Sequence, residues 1–492
     1  MKYLLALLVL LASLMILVNA TATATATTPG SLEELEEVVR QYAQEAAVLK
    51  HAGHVVLRAT LPTTAALSEY LAAVRSHNNL DDPLLQAELW HAGPSSAART
   101  DLSSSAPSWE ADVALSPQAL RSFRSLAHAL GGSSSLLVPD LQQALVHAHR
   151  EHLLARFLSS ATTTTATATT ATTNNSSSFF SSYHTKEEID QFMAQLAQIY
   201  PTLAEVVTLG QSVEGQTIRA LRISGGSGPS NSQQKPGMVY NGLVHAREWI
   251  SGSTVCYIAA QLLEQYGQEA SVTRLVDHYE WLLVPVLNPD GYRFTYQQGG
   301  NRMWRKNRRQ SANGLCVGVD CNRNWDIAWS SGIGTSSQPC SGEYKGTAPF
   351  SEPEEHSVAQ YIAARGNVLG YIGFHAYGQL IMEPYGYTKQ HTANYAAQQQ
   401  LVQGMQAAIQ QVNGVHYTTG PIATTIYPAS GDSVDWVYDQ GQVPFPLAIE
   451  LRDLGQYGFL LPPAQILPQG REMFAGVLYM GNFIMNSTLT VL

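Results

Sequence analysis

Charge is scarce in this chain. Asp, Glu, Lys and Arg make up 13% of its 492 residues, with a formal net charge of −10. A nucleic-acid-binding chain would show basic clusters. Here the one dense basic run is "RMWRKNRR", Arg302 to Arg309, which on composition alone reads as a solvated loop. Cysteine is sparse too. Cys256, Cys316, Cys321 and Cys340 lack the spacing of a zinc ribbon and allow three disulfide pairings. Long apolar runs are confined to the N-terminus, where Lys2 precedes an apolar stretch from Tyr3 to Val18. That stretch is shorter than the about 20 residues a spanning helix needs. Small residues come next in "NATATA", so residues 1–22 are expected to be a secretory signal peptide. The mature chain is read as exported, either extracellular or held in a lysosome-like compartment, where disulfides are permitted. Asn174, Asn175 and Asn486 stand in glycosylation sequons.

Residues 31–158 alternate helical and strand-like patterns. "SLEELEEVVRQYAQEAAVL" has helical spacing, "GHVVLRATL" alternates like a strand, and "TAALSEYLAAVRS" returns to helix. "LLQAELW" and "EADVAL" read as short strands, and "SPQALRSFRSLAHAL" as a helix with Ser116 as N-cap. Together these predict a small α+β domain. Residues 159–182 are mostly Thr, Ala and Ser, with no Lys or Arg. Such a composition buries no core and predicts a flexible, glycosylation-prone connector. At Tyr183 globular sequence resumes. Thr185 and Glu188 have capping-box spacing, and Ile189, Phe192, Met193, Leu196 and Ile199 keep to a helical stripe. Residues 183–492 are expected to form one large α/β domain.

The chemistry gathers at strand ends. The buried-strand candidates are "GMVYNGLV", "WLLVPVLN", "VLGYIGFHA" and "PLAIEL", with helical stretches between. In open α/β sheets, sites form beyond the carboxyl ends of strands. His245 and Glu248 come after the first run, "NPDGY" (Asn288 to Tyr292) after the second, and His375 ends the third. Glu450 ends the fourth, with Arg452 and Asp453 just beyond it. Two histidines and two glutamates therefore converge on one sheet edge. Two His and one carboxylate make a catalytic zinc set, leaving a position for a water whose pKa falls to about 7. The other carboxylate can then serve as general base. A His-x-x-Glu spacing alone is weak, and His184 and Glu187 repeat it. There the capping box puts Glu187 in a first helical turn, where an acid suits the dipole. "HAHREH", His147 to His152, reads as a mostly solvated helix face.

The segments "HAREW", "NPDGY", "MWRKNR", "CVGVDCNRNW", "FHAYGQL", "TTIYPASGDSVDW" and "IELRDLGQYGFLLP" resemble the zinc metallocarboxypeptidases of the carboxypeptidase A/B family, in its order. The resemblance covers 183–492, and residues 31–158 look like that family's activation propeptide. It implies a mixed twisted sheet flanked by helices behind a small α+β propeptide domain, made as an inactive proenzyme. It implies one Zn2+ held by His245, Glu248 and His375, the His2Glu set that carboxypeptidase A exemplifies. Glu450 is then the base on a zinc-bound water. Arg305 polarises the scissile carbonyl and stabilises its oxyanion, an effect strengthened in a low-dielectric cleft. Asn322 and Arg323 hold the substrate's terminal carboxylate, for which the guanidinium fork is suited. Arg247 and Tyr377 contact the substrate upstream, Tyr427 closes over its last residue, and Phe459 lines the cleft. Arg305 thereby leaves the basic-loop reading, which stands for Arg308 and Arg309. The implied partners are peptide or protein C-termini, the chain's own propeptide as inhibitor, and an activating protease, with no nucleic acid and no membrane span.

Val434 matches the position that decides specificity in that family. Its companions are Met382, Gly386, Ile422, Ile426, Ala429 and Ala448, all apolar or small. Burying a Phe or Leu side chain there is worth about 1.5–3 kcal/mol, so release of aromatic or aliphatic residues is expected. Asp432, where comparable family members carry Gly, and Glu383 near the wall run against this. A carboxylate reaching the pocket would select Lys or Arg; otherwise both face solvent or structural partners. Cys316 and Cys340 match the family's disulfide. Cys256 and Cys321 are additional, and a bridge between them would brace the carboxylate-binding loop. Arg150 and Arg156 are the last basic residues before the connector, and Lys186 is the next. A trypsin-like activator should then cut after Arg156 and leave a Thr/Ala tail. Two rival readings are another zinc amidohydrolase on this scaffold and a non-enzymatic binding protein. Asn322, Arg323 and Tyr427 argue against the first, and the retained ligands and Glu450 against the second.

Overall fold

The computed structural model describes residues 36–37, 53–78, 87–95, 108–165 and 176–487, apart from 227, 232, 233, 298 and 313. The signal peptide, most of the helix expected near 32–50, and sequons Asn174 and Asn175 lie outside the described residues.

In the N-terminal domain, alternation along β1 (Val55–Leu61) sets the two faces. Val55, Leu57, Ala59 and Leu61 enter the domain's own core, while Val56 joins the core of the larger domain. Helix α1 (Thr64–Asn78), strands β2 (Ala87–Pro94) and β3 (Trp109–Leu115), helix α2 (Pro117–Ala129) and strand β4 (Ser133–Val138) come next. The sheet is antiparallel in the order β2-β3-β1-β4. Ser116 caps α2, accepting from the Ala119 amide. Strand β4, "SSSLLV", carries no residue buried enough to give an apolar signal.

Helix α3 (Leu141–Thr165) runs past residue 158 into the Thr/Ala-rich stretch. Extending an existing helix escapes the cost of nucleation, and Ala is a good helix former. The other end of the connector is not inert either. A 3-10 turn at Ser176–Ser181 sets Phe180 into the large core against Phe192 and Tyr257. Phe179 stacks on Phe192 at 3.9 Å. The expectation that 159–182 buries nothing is corrected: two adjacent phenyl rings supply enough apolar surface to dock. The solvated reading of the histidine run also fails at its end, since His152 is buried against Tyr183, Trp249 and Tyr296.

Helix α4 (Lys186–Ile199) starts on a complete capping box. Beyond it lies an eight-stranded sheet, formed by β5 (Ala204–Gln211), β6 (Thr217–Ile223), β7 (Gly237–Asn241), β8 (Glu280–Val284), β9 (Val368–His375), β10 (Leu380–Glu383), β11 (Thr418–Pro421) and β12 (Phe445–Glu450). Its order is β11-β10-β12-β9-β7-β8-β6-β5. The central β12, β9, β7 and β8 are parallel, and β6 and β10 join them antiparallel. Helices α5 (Trp249–Glu264), α6 (Pro353–Arg365), α7 (Tyr395–Asn413), α8 (Ser433–Asp439) and α9 (Ile466–Asn486) flank it. Trp281 and Leu283 enter the core shared with α5, α7 and α9, while Leu282 and Val284 enter the one shared with α6 and α8.

Cys316 and Cys340 are bridged. Cys256 and Cys321 are free and belong to different core clusters, so the bridge expected between them does not form. Among the described residues no helix is long and apolar enough to cross a membrane. If Phe180 belongs to the large core, Phe180→Ala should cost about 3–5 kcal/mol in denaturant unfolding. A change under about 0.5 kcal/mol would return it to the connector.

Candidate active site

Register assembles the site. Glu450 at the end of β12 pairs directly with His375 at the end of β9. Beyond β7 the chain turns sharply past α5. A Cβ on Gly242 would meet the Ser251 carbonyl oxygen at 2.7 Å, so glycine is required there. The turn delivers His245 and Glu248, both buried. His245 Nδ1 lies 2.9 Å from Glu248 Oε1, and His375 Nδ1 lies 3.2 Å from both Glu248 Oε2 and His245 Nδ1. Ligand atoms of His245, Glu248 and His375 all fall within 4.8 Å of one another. Two imidazole nitrogens and a carboxylate turned towards one another are a donor set that fits a zinc ion. Burial would raise Glu248, yet His245 and His375 hold it far below the usual carboxylate range.

One residue missed in the sequence completes the set. Asp320, fully buried, accepts from His245 Nε2 at 3.1 Å, from Arg305 Nη2 at 2.8 Å and from the Asn322 amide at 3.0 Å. A carboxylate on the remote nitrogen fixes a ligating histidine's tautomer and orientation. Its only sequence signal is membership of "CVGVDCNRNW".

The cleft is lined by His245, Glu248, Arg305, Asn322, Arg323, His375, Tyr377, Tyr427 and Glu450. Arg323 Nη2 lies 3.3 Å from the Tyr427 hydroxyl. Glu450 Oε2 is enclosed and lacks a hydrogen-bond partner. Burial pushes Glu450 up to about 8 against the pull of His375, and a cation's charge would draw it down again. The pocket wall holds Met382, Ile422, Ile426, Ala429, Val434 and Ala448. Asp432 belongs to that wall. Its Oδ1 caps α8 by accepting from the Asp435 amide, while no donor reaches its buried Oδ2. Gly386 backs it, where a Cβ would stand 2.8 Å from Oδ2. Glu383 points elsewhere, onto Gln399 of α7.

Arg247 and Phe459 sit at the rim, with the guanidinium 4.1 Å above the Phe459 ring. The N-terminal domain covers them. Glu88 pairs with Arg247, Trp90 packs edge-on against Phe459, and His91 stacks on Tyr377. Asp112 binds Arg58 through two contacts of 2.7 Å and accepts from the Tyr377 hydroxyl at 2.9 Å. The basic loop is not solvated at Arg308, which stacks on Phe294 and Trp304, and Arg309 pairs with Glu352.

The zinc carboxypeptidase family profile matches residues 189–476. The chain belongs to the zinc carboxypeptidase family. Carboxypeptidase A1 of Bos taurus is 35% identical over 435 residues, 88% of this chain and 94% of that one. Metallocarboxypeptidase A of Trichophyton rubrum is 41% identical over 303 residues, 61% of this chain and 70% of that one. Among solved structures, carboxypeptidase A from Helicoverpa armigera superposes with a TM-score of 0.72 at 27% identity, covering 89% of this chain and 99% of that one. Thrombin activatable fibrinolysis inhibitor gives 0.68 at 27%, covering 88% and 100%. The chain is thus a zinc-dependent metallocarboxypeptidase, a hydrolase acting at peptide C-termini.

Glu383 supplies a pH test. Burial pushes it up to about 7 from 4.5. A carboxyl raised in the folded state stabilises fully below its unfolded value and loses that contribution as pH rises through the folded one. Between pH 4.5 and above 7, the wild type should therefore lose stability relative to Glu383→Gln. Parallel urea midpoints across that range would refute this.

Proposed function

We propose that His245, Glu248 and His375 hold the zinc and that the chain releases aromatic or aliphatic C-terminal residues from peptides. Bound zinc supplies Lewis-acid polarisation and lowers the pKa of water. Glu450 takes a proton from the attacking water and returns it to the leaving amine. Arg305 neutralises charge growing on the scissile carbonyl oxygen. Asn322, Arg323 and Tyr427 hold the terminal carboxylate, Arg247, Tyr377 and Phe459 contact the residues before it, and the pocket around Val434 takes the final side chain. The register of Glu450 against His375, inside a cleft that also carries Arg305 and Arg323, is the main support.

The N-terminal domain acts as the inhibitor, and removing it after cleavage near Arg156 frees the rim. Its occupation of Arg247, Tyr377 and Phe459 supports this. Arg156 lies within α3 and grips Glu188 by two contacts of 2.9 and 2.5 Å, so that turn must loosen before a protease can bind it. Residues 1–22 direct export.

In the activated enzyme, Glu450→Gln should lower kcat about 10²–10⁴-fold and Arg305→Ala about 10²–10³-fold, with zinc content unchanged. Full activity in either variant would dismiss that role.

The buried Asp432 carboxyl, facing the pocket with only its acidic neighbour Asp435 beside Oδ2, favours a second reading, in which the pocket selects Lys or Arg. Peptides differing only in the last residue separate the two. Phe and Leu should leave faster than Lys and Arg, and Asp432→Gly should widen the gap. Faster release of Lys or Arg, lost by about tenfold or more in Asp432→Gly, would assign the pocket to Asp432.

A further inference from the structure

Away from the cleft lies a buried constellation that the hydrolytic site does not use. Cys321, Glu354 and Glu355 present one sulfur and two carboxylate oxygens, all within 4.8 Å of one another and each residue fully buried. Cys321 comes from the loop between Asp320 and Asn322, and the glutamates from the first turn of α6. Glu354 is engaged, accepting from the Val213 amide at 3.0 Å and from Asn307 Nδ2 at 3.2 Å. Glu355 is different. Neither of its oxygens accepts a hydrogen bond from another residue's nitrogen or oxygen, and the Cys321 thiol is its polar neighbour.

A carboxyl is rarely left so deep without compensation. Acids in a first helical turn suit the dipole, but that does not account for two inward oxygens with no polar neighbour beyond a thiol and the residue's own backbone amide. Burial pushes Glu354 up to about 7 and raises both Glu355 and the thiol, so burial favours the protonated forms of all three. A divalent cation would displace those protons to solvent and leave a thiolate and two carboxylates as ligands. At metal–ligand distances of about 2.0–2.3 Å, tetrahedral ligand atoms stand roughly 3–4 Å apart, inside the observed spread. Sulfur disfavours calcium and magnesium and favours the zinc class.

We propose that Cys321, Glu354 and Glu355 form a second, buried site for a zinc-class divalent cation, which braces the loop carrying Asp320, Asn322 and Arg323. The test is cadmium titration of the full chain, with metal counted and thiolate-to-metal charge transfer monitored in the ultraviolet. The wild type should take two equivalents and show the band. His375→Ala, which breaks the cleft site, should keep one equivalent and the band. Cys321→Ser should lose the band and Glu355→Gln should weaken binding tenfold or more, whereas Cys256→Ser should change neither. Binding should tighten as pH rises. A single equivalent with no band in the wild type would overturn the proposal, as would a band that survives Cys321→Ser. If Cys321→Ser does not fold, the His375→Ala result decides alone. Two equivalents retained in His375→Ala would instead count against the cleft assignment and leave this site standing.

Discussion

A single buried carboxylate organises the cleft. Asp320 is surrounded by His245, Arg305 and the Asn322 amide. Burial alone would raise its pKa, yet Arg305 and His245 hold it well below the usual range. An ion in that position is tolerable only with such partners, so the partners are fixed as firmly as the ion. Tying Nε2 of His245 to Asp320 leaves Nδ1 to face Glu248. Tying Arg305 down places a permanent positive charge at the cleft wall, 3.8 Å from Glu248. The orientation needed for chemistry is therefore established before substrate arrives, when it costs no reorganisation.

The N-terminal domain meets the same logic from outside. Arg247 is almost wholly buried, and Glu88 supplies its counter-charge. Tyr377 gives its hydroxyl to Asp112, whose other partner is Arg58. Arg58 also donates to the Leu454 carbonyl at 2.7 Å, so the pair is anchored across the interface. Removing the domain would return three rim groups to water, where a peptide could replace each contact. Covering those three groups requires no mimicry of a scissile bond.

Burial decided which elements were legible in the sequence. Strands β7, β8, β9 and β12 are covered on both faces, so they read as unbroken apolar runs and draw attention to the residues at their ends. Strands β5, β6, β10 and β11, toward the sheet edges, gave no comparable run and went unread. His245, Glu248, His375 and Glu450 were visible because each closes a buried strand or stands just beyond one. Asp320 was not, since its importance lies in contacts to His245 and Arg305 that only the fold creates, rather than in any local spacing. The pair Asp432 and Glu383 could not be told apart in sequence. Their directions come from tertiary structure: α8 takes Asp432 as its cap, and α7 offers Gln399 to Glu383. The connector misled because composition describes a chain alone, whereas α3 was already nucleated and Phe180 found a core.

Asp432 also shows how one side chain can serve two ends. Its Oδ1 is committed to the first turn of α8, which explains an acid at that position without reference to substrate. Its Oδ2 remains in the apolar wall, next to Asp435, which burial and Asp432 itself push well above the carboxylate range. Two carboxyls this close share a proton more readily than both ionise. With that proton in place, the wall is nearly neutral and an aromatic side chain can pack on it. Without it, the same wall would present a charge that only a cation could satisfy. The apolar preference proposed for this pocket would thus depend on the state of the Asp432 and Asp435 pair as much as on Val434.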